Sequence, residues 1–114
     1  MKSKIISLSK NLEFKSILNG KKISNKYSTI FFKKLKGKNV KKLNISFVTK
    51  RKIGNAVKRN KIKRRLRNIM NYVVKENKVN LHFSYLLIAK KIILDEEFSK
   101  LKEGFLKDFK KTNF

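Results

Sequence analysis

The chain has 114 residues, 40% of them hydrophobic, and carries 32 Lys and Arg against 7 Asp and Glu, a formal charge of +25. The hydrophobic fraction excludes a disordered basic tail, and the length suits a single domain, 1–114, with too few residues for a second core. So much like charge repels itself and calls for a polyanionic neighbour, either nucleic acid or an anionic membrane, while the absence of cysteine excludes disulfides and thiolate metal sites.

In chain order, Ser9 or Asn11 can cap a first helix with Leu12, Phe14, Ile17 and Leu18 at helical spacing, and Gly20 can stop it. A short strand at 21–25 can follow. The aromatic and β-branched run at 27–35, and the alternation of Leu43, Ile45 and Phe47 with Asn44 and Ser46, predict two strands. The Lys-rich turn around Gly37 joins them in a hairpin-like connection.

Beyond Gly54 the period changes: Ile62, Leu66, Ile69, Met70, Val73 and Val74 form one stripe of a helix of about four turns or more. Residues 83–89 are almost continuously apolar and predict a strand buried on both faces inside the sheet. Asp95 can cap a last helix, with Glu96 and Glu97 in its first turn and Phe98, Leu101, Phe105, Leu106 and Phe109 along one side. Gly104 inside that helix costs about 1 kcal/mol relative to Ala. The order reads α, β strands, α, β, α, with no proline and no linker.

A membrane partner does not fit, since the longest apolar runs, at 85–89 and 92–94, fall far short of the ~20 residues that span a bilayer. The opening MKSKIISLSKNLEF lacks the apolar core of a secretory signal, so a cytoplasmic location is expected. No acid lies between Glu13 and Glu76, and residues 50–67, KRKIGNAVKRNKIKRRLR, hold ten Lys or Arg among eighteen positions, five of them Arg. Lys63, Arg64 and Arg67 project away from the Ile62, Leu66, Ile69 stripe. A face that only solubilises mixes both signs, whereas like charges at helical spacing repel, and Arg is favoured where a planar fork grips phosphate. Gly54 before the helix serves either a turn or a close approach to phosphate. Asn55 and Asn60 add donors and acceptors suited to RNA base edges or ribose hydroxyls.

KRKIGNAVKRNKIKRRLR resembles the RNA-binding signature of the bacterial ribonuclease P protein family, K-K-x-G-N-A-V-x-R-N-x-x-K-R-x-x-R, with Arg51 in place of a Lys. The likeness extends over nearly the whole chain, from a first helix at Asn11 to Phe14 with Gly20 to strands at Leu43 to Lys50 and Leu86 to Lys90. It implies an α+β, two-layer αβββαβα sandwich with a left-handed β-α-β crossover. It further implies a non-catalytic protein subunit that binds the catalytic ribonuclease P RNA and the 5′ leader of precursor tRNA. RNA contacts would fall to Arg51, Lys52, Asn55, Lys58, Arg59, Asn60, Lys61, Lys63, Arg64, Arg65 and Arg67. A leader cleft would be lined by Phe14, Leu18, Tyr27 and Ile30, although the family tends to have aromatic residues at the positions of Leu18 and Ile30. No cofactor is expected on the protein itself, with Mg²⁺ held by the RNA, and no obligate protein partner is expected. An independent nuclease would need clustered acids or histidines; His82 is the one histidine, and Asp95, Glu96 and Glu97 are explained by a helix start.

Overall fold

The structure is a computed structural model that describes residues 5–8, 11–76 and 78–112. Its elements are β1 (Ile5–Ile6), α1 (Asn11–Leu18), β2 (Lys21–Ser24), β3 (Ser28–Lys33), β4 (Leu43–Val48), α2 (Ala56–Lys75), β5 (Ser84–Ala89) and α3 (Phe98–Lys110). Short 3₁₀ turns occupy Arg51–Ile53 and Lys91–Leu94. From α1 onward this is the expected αβββαβα order, and the two-residue β1 adds a fifth strand. The caps assigned to Ser9 and to the Asn11 side chain lie outside the described residues.

The strands form one sheet in the order β1-β4-β5-β3-β2. β5 is its middle strand, antiparallel to β3 and parallel to β4. Its first four residues are buried, as a run with no polar alternation requires. The hairpin expected through the Gly37 turn is corrected by this topology: β3 and β4 do not pair, because β5 lies between them. The hairpin is instead β2 with β3. Asn25 builds its turn, accepting the backbone N–H groups of Tyr27 and Ser28 on Oδ1, both at 2.7 Å.

Alternate strand residues sort to two faces. Ile30, Phe32, Ile45, Tyr85 and Leu87 meet the α2 stripe of Ile62, Leu66, Ile69, Met70 and Val73 and the α3 residues Leu101, Phe105 and Phe109. The sheet and the α2–α3 layer are the two layers of the sandwich. The opposite parity, with Phe31, Val48 and Leu86, packs beneath Phe14 and Ile17 of α1. Gly20 lets the end of α1 approach the sheet, since a Cβ there would collide with the Phe32 carbonyl oxygen and lie 2.9 Å from Lys33 Cβ.

The last helix starts later than its acids suggest. Asp95 ends the Lys91–Leu94 turn and does not cap α3; Glu97 holds the N-cap position without a side-chain bond. Asp95, Glu96 and Glu97 therefore precede the helix instead of occupying its first turn. Gly104 leaves α3 continuous, and the Tyr27 ring fills the space of the missing methyl, with Cε2 2.9 Å from where a Cβ would stand. At the other end of α3 the buried Tyr85 hydroxyl donates to the Asn80 carbonyl at 2.7 Å beside the Thr112 hydroxyl at 3.1 Å. Burial raises the pKa of that phenol well above its ordinary value.

Candidate nucleic-acid interface

The signature segment begins where β4 ends. Residues 51–53 make a 3₁₀ turn whose Ile53 is buried and anchors it, and Gly54 follows at φ +152°. L side chains rarely adopt that conformation, so the turn alone accounts for the glycine. Asn55 then caps α2, its Oδ1 accepting the Lys58 N–H at 3.0 Å. That oxygen is committed to the helix, which leaves the amide nitrogen as the outward group.

Because Ile62, Leu66, Ile69, Met70 and Val73 point into the core, the rest of α2 is turned outward. Arg51, Lys52, Lys58, Asn60, Lys61, Arg64 and Arg67 are exposed, while Arg59, Lys63 and Arg65 are half-buried along the helix flanks. On one flank Arg59, Lys63 and Arg67 share a groove of about 460 Å³ with Ser7, Phe14, Ser46 and Thr49, and no acidic side chain lines it. Arg59 Nε is buried there with no hydrogen-bond partner among the described residues.

On the other flank Arg65 is used differently. Its guanidinium donates to the backbone carbonyls of Ile93, of Leu94 at 3.1 Å and of Glu96 at 2.6 Å. The expectation that Arg65 faces RNA is therefore corrected: this cation fastens α2 to the segment leading into α3. The proposed leader cleft also divides. Phe14, half-buried, and Leu18, exposed, lie on α1, whereas Tyr27 and Ile30 are buried in the core on the far face of the sheet. Tyr27 packs against Phe105 with ring centroids 5.9 Å apart. Neither Tyr27 nor Ile30 can line a cleft with Phe14; the β3 residue on the α1 side is Phe31.

The fold also gathers cations that the sequence reading did not place together. Because β4 and β5 are parallel neighbours, their carboxyl ends emerge side by side. Lys50 and Lys52 thereby meet Lys90 and Lys91 around a second hollow floored by Thr29, Ile53 and Ile88. The signal was the placement of lysines just after two apolar strands, readable only once the strands are known to be adjacent. Among the described residues no three His, Cys, Asp or Glu come together as a metal-holding group, and no helix is long and apolar enough to cross a membrane.

A small α+β domain with a cation-clad crossover helix beside a groove free of acids has the charge layout of a polyanion-binding protein. The family model for Ribonuclease P matches residues 3–113, and the chain belongs to that family. Among solved structures it is similar to the ribonuclease P protein of Thermotoga maritima, with 26% identity over 93% of this chain and 96% of that one and a TM-score of 0.77. It also shares its fold with the ribonuclease P protein of Staphylococcus aureus, at 24% identity, 92% coverage of both chains and a TM-score of 0.72. A search of curated sequences gave no match.

The two flanks of α2 can be told apart experimentally. Arg65→Ala is expected to lower stability by about 1–3 kcal/mol, because carbonyls beneath α3 lose a charged donor, and to leave the salt dependence of RNA binding unchanged. Thermal melting and a salt titration measure the two effects. A slope change as large as that of Arg67→Ala would return Arg65 to the interface.

Proposed function

We propose that this chain is the protein subunit of an RNA-based ribonuclease P. In this reading the exposed face of α2 binds the catalytic RNA, and the groove between Phe14 and the Arg59, Lys63, Arg67 row takes the single-stranded 5′ leader of precursor tRNA. The observation that carries it is the groove in which Arg59, Lys63 and Arg67 gather three cations with no acid. Lys63 and Arg67 would bond phosphate oxygens, and half-buried Phe14 would offer a base a ring to stack on. The protein's contribution would be to screen repulsion between two RNAs and hold the leader in register, with leader removal carried out by the RNA.

Mg²⁺ does not fit this surface: the groove is cationic, and the described acids do not cluster. In this reading the metal belongs to the RNA, and no protein step is routed through it. Neither a membrane nor a further protein is required, and the site of action would be the cytoplasm.

The test is precursor-tRNA cleavage at low Mg²⁺ with the protein alone, a bacterial ribonuclease P RNA alone, and both together. Cleavage at the mature 5′ end only in the combined reaction is the expected result. Cleavage by the protein alone, or no difference between the RNA alone and the mixture, would overturn the subunit reading.

A further inference from the structure

Ser46 stands on β4 with its side chain on the α1 side of the sheet, the parity of Val48. Its hydroxyl is engaged twice by one residue: Oγ accepts the Leu8 backbone N–H at 2.8 Å and donates to the Leu8 carbonyl at 3.3 Å. Leu8 needs both bonds. β1 pairs with β4 only through Ile5 and Ile6, Leu8 itself is buried, and among the described residues no other group meets its backbone. A buried backbone donor or acceptor left open costs as much as a lost hydrogen bond. This one hydroxyl therefore fixes where the chain leaves the edge of the sheet.

The position of Leu8 bears on the groove from two sides. Its neighbour Ser7 is exposed and lines the groove with Ser46, Phe14 and the Arg59, Lys63, Arg67 row. The Leu8 side chain enters the small core that it forms with Ile17 and Leu86, and Phe14 packs against that core. The Ser7 wall and the support of the Phe14 ring thus both depend on a residue that Ser46 alone holds by its backbone.

We propose that Ser46 is a positioning residue for the 5′ leader: by clamping Leu8 it holds the Ser7 wall and the Phe14 ring in place before the leader arrives. This rests on the reading that the groove takes the leader. Ser46 acts through Leu8 and not on the RNA, because its single O–H is already donated to the Leu8 carbonyl and its remaining lone pair is an acceptor, of no use to a phosphate. A groove set in advance spares the cost of ordering it at the moment of binding.

The test assembles the chain with a bacterial ribonuclease P RNA and offers it two precursor tRNAs, one with a leader several nucleotides long and one with a single leader nucleotide, too short to run along the groove. The quantity measured is the ratio of their kcat/KM values. Ser46→Ala is expected to cut the advantage of the long leader on the order of tenfold, the worth of one base stack, and to do so through KM, since cleavage belongs to the RNA. Ser46→Thr keeps the hydroxyl and is expected to restore the advantage. Leu8→Ala keeps the backbone bonds but empties part of the core under Phe14, and is expected to reproduce the loss. An equal loss on both precursors, or none, would mean a structural role alone, and a loss with Ser46→Ala but not with Leu8→Ala would mean that the hydroxyl meets the leader directly; each overturns the proposal. An unaltered chain that shows no preference for the long leader would instead sink the leader reading.

Amide hydrogen exchange checks the clamp in the unaltered chain, where no substitution can disturb folding. The Leu8 amide is expected to exchange on the order of tenfold or more slowly than in an unstructured peptide. Exchange at the unstructured rate would mean that Ser46 does not hold it, and the proposal would fall.

Discussion

Leu66→Ala is expected to remove about 2–5 kcal/mol of folding stability. Leu66 has no exposed surface and stands at the centre of the α2 stripe, between Ile62 and Met70, in the same buried core as the sheet residues Ile45 and Tyr85. Truncation loses the transfer energy of the removed carbons and leaves a void that close-packed neighbours fill only in part. A domain of this size has about 5–15 kcal/mol in total, so the change consumes a large share and should lower the melting temperature on the order of 10–20 °C. The measurement belongs in the absence of RNA, because a ligand that binds only the folded chain masks the loss. Unaltered melting would show that the inward face of α2 is assigned wrongly, and with it the outward face.

The second large effect is on binding. Replacing Arg59, Lys63 and Arg67 together with Ala should weaken RNA affinity near 0.15 M salt on the order of a hundredfold and reduce the log–log salt slope by about 2–3, since each lost phosphate contact removes about 0.7–0.9 of a unit. The three cations line one groove without a neutralising acid, so their removal strands no buried carboxylate, and the fold should survive. A preserved slope would mean that the groove does not meet phosphate. A collapsed melting curve would mean that the flank is structural, as the Arg65 flank is.

The parts of this fold that were legible in the sequence are those where one local pattern has one solution. The α2 stripe has helical period and nothing else, and 83–89 has no polar residue at alternate positions to turn toward water. The errors arose where the answer depends on partners distant in the chain. Ile30, Phe31 and Phe32 are apolar in succession, so alternation cannot say which parity faces α1; the structure gives that side to Phe31 and sends Ile30, with Tyr27, to the other core. Two strands with a turn between them look like a hairpin until a later strand inserts. Arg65 is indistinguishable from Arg64 by composition, and only the carbonyls at residues 93, 94 and 96 turn it inward. Asp95 resembles a cap because nothing in the sequence announces the 3₁₀ turn before it. The two-residue β1 is too short to carry any period at all.

The central position of β5 dictates an order of events during synthesis. Strands β3 and β4 are made early and are both flanked by β5, so neither can complete its pairing until residues 84–89 have left the ribosome. Until then Ile30, Phe32, Ile45 and Phe47 lack the strand they pack beside, and the sheet can exist only as two separate pieces, the β2–β3 hairpin and the β1–β4 pair. A message cut short before that point yields a chain with two open strand edges, the kind of surface on which nascent proteins stick to one another. The same dense positive charge that suits the finished molecule to RNA would keep such unfinished copies apart.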